Sequence, residues 1–167
     1  MVGFTCATCG HYHDELPLCF GAALPDYYYT VPPDEREQRI EESADWCIID
    51  GSHFFIRGRI EIPIIGHSEK LVWNVWTTLS EENFERSQEH WHDPGRAQEK
   101  PCFGWLQTRI PSYENTLNSK TWVCTQAVGV IPQMEVFEAE HQLTLDQQQG
   151  IAWERVQQLV ERIMHAA

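Results

Sequence analysis

The chain has no apolar run approaching the ~18 residues that a membrane span requires, so no membrane partner is expected. Its opening residues, MVGFTCATCG, have no basic stretch followed by an apolar core, and so no signal peptide is visible. A cytoplasmic protein is expected. Basic residues are scarce: 12 Lys and Arg stand against 25 Asp and Glu, a net charge of −13. A field of that sign repels phosphate backbones and argues against nucleic-acid binding. It leaves room for a basic protein partner or a cationic ligand, while also serving plain solubility. G-x-S-x-G, the Walker loop, H-E-x-x-H and the dinucleotide fingerprint are all missing.

What is present is 167 residues, which is one domain's worth of chain spanning 1–167. Seven tryptophans are the one unusual feature of its composition. Residues 4–50 carry Cys, Gly, Pro and Tyr and read as an N-terminal knuckle segment packed on the first strand. Within it, Pro33 can open a helix with an acidic first turn, ending near Ala44.

A β-rich core over 46–137 follows. Asp50-Gly51 between two apolar runs is a hairpin signal. Beyond the turn, Phe54, Ile56, Ile60 and Ile62 share one parity, and Phe55, Arg57, Arg59 and Glu61 the other, the period of a strand. Gly58 suggests a bulge and Pro63 an edge or end. KLVWNVWTTL, apolar on both faces, reads as a central strand. Ser80 is a helix N-cap, with Leu79 and Phe84 as a hydrophobic staple for a helix to about Trp91. CFGWLQTRIP and KTWVCTQAVGVIPQMEVF give two or three more strands. Thr144 and Gln147 have capping-box spacing for one long amphipathic helix over 144–165, striped by Ala152, Val156, Leu159, Val160 and Ile163. The order of elements predicts an α+β fold with a largely antiparallel, curved sheet.

Six cysteines in a reducing compartment favour free thiols or metal ligation over disulfides. Cys6 and Cys9 form a C-x-x-C-G pair, in which two thiolates grip one ion and the glycine accepts the tight backbone. Zinc is the default metal. The pair supplies half a tetrahedral site, and spacing leaves His11, His13, Cys19 and Cys47 as candidates for the rest. A redox pair would need a βαβ setting that is missing here. Two cysteines idle in a loop are the bland alternative. His90, His92 and Asp93 form a second cluster, read as surface or helix-capping side chains. Arg57, Arg59, Arg96 and Arg109 would clamp a carboxylate or phosphate if they converged; a cross-strand salt ladder is the simpler account for the first two. Trp73, Trp76, Trp105 and Trp122 read as core or sheet-surface packing.

FTCATCGHYHDELP, DWCIIDGSHFFIRGRIEIPI, VWNVWTTLSEENFERS and CFGWLQTRIPSY together resemble a family of bacterial proteins catalogued as domain of unknown function 2199. The resemblance runs from about Phe4 to the C-terminal helix and brings no activity, substrate or catalytic residue. It implies a ligand set: the family pattern includes the Cys6–Cys9 pair, a histidine at His13 and a cysteine at Cys47, and leaves out His11 and Cys19. The expectation is a zinc-stabilised binding or interaction domain in which a structural zinc pins the N-terminus to the first strand. Two alternatives stand beside it: a metal-dependent or arginine-pocket hydrolase, and an acidic, immunity-like inhibitor of a basic partner.

Overall fold

The computed structural model describes residues 4–5, 11–13 and 16–165, with backbone alone at 4, 5 and 13. Strands β1 (Phe4–Thr5) and β2 (Tyr12–His13) pair antiparallel as a sheet of their own, Phe4 opposite His13 and Thr5 opposite Tyr12. A second sheet holds eight strands: β3 (Cys19–Gly21), β4 (Ile40–Glu42), β5 (Trp46–Ile49), β6 (His53–Pro63), β7 (Lys70–Leu79), β8 (Cys102–Trp105), β9 (Lys120–Cys124) and β10 (Gln133–Val136). Four α-helices accompany them: α1 (Arg36–Arg39), α2 (Glu81–Glu89), α3 (Gln142–Gln149) and α4 (Trp153–Met164). This is the expected α+β class. No helix among the described residues is long and apolar enough to cross a membrane.

The hairpin forms where Asp50-Gly51 placed it. Both turn residues have positive φ, 55° and 63°, the twist that suits a two-residue connection. The strand it launches, β6, is long enough to use one edge twice. Its first half pairs with β5, and Arg59 further along pairs with Gln133 of β10. Its other edge pairs with β7 along the full length, from Phe54–Leu79 to Pro63–Lys70. The strand order is open, β3-β7-β6-β10-β9-β8, with β4 outside β5. Most pairs are antiparallel, but β3 with β7 and β10 with β6 are parallel, so the sheet is mixed. Past β8 the chain returns to the β3 side of β7, where Leu106 bridges Thr77.

Gly58 makes no bulge. It pairs in register with Val75, and a Cβ there would lie 2.3 Å from Met134 Cε and 2.7 Å from the Pro132 carbonyl, so the glycine admits the neighbouring chain.

The parity read in β6 divides the core. Phe54, Ile56, Ile60 and Ile62 join Leu71, Trp73, Val75 and Leu79 of β7 under Phe84 of α2, Leu143 of α3, and Val156, Leu159 and Val160 of α4. On the opposite face, Cys47, Ile49, Phe55 and Trp76 are buried with Val31, and Ala22, Tyr27, Tyr28 and Ile40 pack around them. The Trp76 indole N–H donates to the Ala22 carbonyl at 3.1 Å, tying this N-terminal cover to the central strand.

Two helices differ from expectation. After Pro33 there is one 3-10 turn (Pro33–Glu35), and α1 is a single turn rather than a helix to Ala44. Ile40 turns extended because β4 is recruited by β5, and the Arg39 guanidinium holds the Asp50 carboxylate through two bonds of 2.7 and 2.8 Å. The expected single helix over 144–165 is two. Gly150, at φ 78°, separates α3 from α4 because Ile151 extends beside Ile64, bonding to Pro63 and Ile65. The N-cap is His141, whose Nδ1 accepts from the Leu143 N–H; Thr144 lies within α3. α2 begins at the Ser80 cap, which accepts from the Asn83 N–H.

Candidate functional site

Cys6 and Cys9 lie outside the described residues, as does the His13 side chain. The β1–β2 register sets the His13 backbone opposite Phe4. The S₂N donor set of Cys6, Cys9 and His13 fits zinc in its chemistry. Cys47 lies in β5, fully buried among Val31, Ile49, Phe55 and Trp76. Burial, with Glu42 opposite it, pushes its thiol up to about 12. A ligand there would have to enter the site as thiolate in an apolar setting. His11 and Cys19 are both exposed, and Cys19 accepts a 3.4 Å bond from the Asn74 amide. Among the described residues no group of three His, Cys, Asp or Glu side chains could hold a metal.

The four arginines take separate places. Arg57 Nη2 bonds the Asp45 carboxylate at 2.9 Å. Arg59 lies 3.7 Å from Glu61, which Lys70 reaches across the β6–β7 pair at 3.2 Å, so this corner is a salt ladder. Arg96, 5% exposed, donates to the carbonyls of Trp91, Gln126, Ala127 and Val130 and lies over the Trp91 ring. It staples the 91–96 loop to the 126–130 loop. Arg109 has its side chain 79% exposed, with Asp26 at 3.5 Å.

His90 Nδ1 meets the Asp93 carboxylate at 3.0 Å just past α2. That hydrogen bond raises His90 and lowers Asp93 relative to their ordinary values. The cavity beside them, near Arg96 and Glu99, is about 20 Å³, room for roughly one water. His92 is exposed beside it.

Two features were not read from the sequence. The first is a buried hub. Asp146 accepts from Tyr113 Oη at 2.6 Å, Arg155 Nη1 at 2.7 Å and Gln142 Nε2 at 2.8 Å, joining the 113 loop, α3 and α4. Burial first, and then the bond to Asp146, push the Tyr113 phenol well above its ordinary value. Every member is tied to another, which is the arrangement of a structural network.

The second is an aromatic face on β8 and β9. Phe103, Trp105 and Trp122 are 36%, 44% and 39% exposed. Phe103 packs edge-on against Trp105 at 4.8 Å, and Trp122 stacks on Phe137 at 5.0 Å. Residues of one parity on paired strands make this surface: Phe103 opposes Trp122, which opposes Glu135 on β10. Trp122 and Phe137 border a cleft of about 330 Å³ that also takes in Glu135 and the paired Glu61 and Lys70. The Glu135 carboxylate has no ion pair or hydrogen bond among the described residues, and Trp122 opposite it is partly exposed while stacked on Phe137. The rings and the Glu135 carboxylate suit a cation, through the ring quadrupole and through charge. The period-two spacing of Phe103 and Trp105 was the available signal; which parity faces outward depended on β9 and β10.

No curated protein and no solved structure matches the chain. Residues 5–151, which include the aromatic face and stop short of α4, match the family of uncharacterized proteins conserved in bacteria, DUF2199, and the chain belongs to that family.

Proposed function

We propose that this protein is an interaction domain that receives a cationic segment of a protein partner on its aromatic sheet face, with its N-terminal hairpin held by a structural zinc. The observation that carries the reading is the exposed Phe103–Trp105–Trp122 face beside the unpaired Glu135 carboxylate. Exposed aromatic clusters of this kind mark interaction sites more often than bare surface. A net charge of −13 would steer a basic partner toward it. Arginine suits the cleft best: its planar guanidinium stacks on Trp122 or Phe137 while bonding a carboxylate.

Zinc would be held by Cys6, Cys9 and His13, with Cys47 as the fourth donor, and would supply a fixed hairpin rather than chemistry. A reducing, cytosolic setting suits such thiolates. Mass spectrometry of carefully prepared protein should find one zinc per chain. Cys6→Ser should lose it, and Cys47→Ser tests the fourth position. Protein without stoichiometric metal would end the zinc part of the reading.

The binding part is tested by calorimetric titration with an (Arg-Ser)₄ peptide at low and moderate salt. Binding should weaken as salt rises. Trp122→Ala should weaken it roughly tenfold, the loss of one good cation–π and stacking contact. An affinity indifferent to Trp122 would refute the assigned face.

A further inference from the structure

One edge of β7 has two successive partners. β3 pairs with Val72 to Asn74, and Ala22 then bonds the Asn74 carbonyl at 3.2 Å. From Trp76 onward the returning 106–108 segment takes over: Gln107 N–H donates to the Trp76 carbonyl at 2.7 Å, and the Trp76 N–H donates to Thr108 Oγ1 at 2.9 Å. Val75 falls between these partners. A cleft of about 240 Å³ opens there, walled by Phe20, Trp73, Val75, Ile110 and Ile163. Its lining is mostly hydrocarbon, with a volume suited to a small organic molecule rather than a peptide.

Two polar side chains at this cleft have donors to spare. Thr108 is 5% exposed; its oxygen accepts from Trp76, and its own hydroxyl proton has no acceptor among the described residues. Arg109 also lines the cleft. Its guanidinium makes no hydrogen bond among the described residues; Asp26 approaches Nε at 3.5 Å, and the side chain is 79% exposed. Asp26 is not part of the lining, which leaves Arg109 as the charged side chain lining the cleft among the described residues.

We propose that this cleft binds a small amphiphilic carboxylate, with an apolar or aromatic body among Trp73, Val75 and Ile163 and the carboxylate on Arg109 and the Thr108 hydroxyl. A bidentate guanidinium–carboxylate pair supplies orientation, and the apolar walls exclude small hydrophilic acids. The aromatic face on β8 and β9 takes a cation, so this site stands independently of the reading above.

The test is an amide ¹H–¹⁵N titration of the full chain, as purified, with phenylacetate and with neutral 2-phenylethanol. Phenylacetate should give saturable shifts at Gly21, Val75 and Thr108, and 2-phenylethanol should bind more weakly. Arg109→Gln alters an exposed side chain and should leave the fold intact. It should weaken phenylacetate about tenfold and leave 2-phenylethanol unchanged, as expected for loss of a charge-assisted pair. Ile163→Trp should abolish both by filling the cleft. The proposal is overturned if no saturable shifts map to the cleft, or if Arg109→Gln leaves phenylacetate binding intact. It is also overturned if the free protein shows Overhauser contacts from residues 1–15 to Ile110 or Ile163, because the chain itself then fills the cleft.

Discussion

Arg96 shows how much one side chain can carry. Its guanidinium satisfies four carbonyls from two loops and is itself buried. Arg96→Ala would leave those acceptors unpaired, and urea unfolding should show a loss of roughly 3 kcal/mol. Arg96→Lys should recover only part of it, because an ammonium lacks the planar fork that reaches both loops. This role was hidden in the sequence because three of the four carbonyls lie 30 to 34 residues from the arginine. His90 and Asp93 make a contrasting, exposed pair. His90 is raised, so its contribution to stability is full below its ordinary value of 6.5 and fades as pH rises through the folded value. Asp93 is lowered, so its share is full above 3.8 and fades as pH falls through its folded value. The pair therefore helps most between those two values. NMR titration should place His90 above 6.5, and Asp93→Asn should bring it back toward 6.5. An unmoved His90 would show that Asp93 is not the cause.

At the scale of elements, local signals were legible and recruited segments were not. Asp50-Gly51, the Ser80 cap and the two-residue period of β6 each rest on a few neighbouring residues, and each is where the sequence put it. The helix after Pro33 and the long C-terminal helix failed for one shared reason: extended pairing captured Ile40, opposite Ile49 of the next strand, and Ile151, beside Ile64 far back in the chain. Helical periodicity carries no record of such a partner. What then joins the separated helices is Asp146, reached by Tyr113 from the loop and by Arg155 from α4. Asp146→Asn should destabilise the fold by roughly 2 kcal/mol, since it removes the charge that both partners use. Tyr113→Phe should cost about 1 kcal/mol, the net value of one hydrogen bond. Denaturant midpoints at constant m-value check both. If Asp146→Asn were neutral, α3 and α4 would be held by their apolar faces alone.

At the scale of the molecule, the sheet separates its functions by face and edge. One face carries the helices and the larger core; β8 and β9 present exposed aromatics; the β7 edge leaves an apolar cleft. The sequence pointed to the N-terminal cysteines as the place to look for function. The aromatic face was harder to see because its rings come from strands well apart in the chain, Phe103 from β8 and Trp122 from β9, and resembled ordinary packing. The interaction domain read from that face depends on where a basic segment lands. The most direct measurement is therefore the tryptophan indole region of an NMR spectrum, titrated with the (Arg-Ser)₄ peptide. The indole signals of Trp105 and Trp122 should shift together and saturably, while the buried Trp76 indole, bonded to Ala22, stays in place. Shifts absent from Trp105 and Trp122, or spread equally over every tryptophan, would contradict the account.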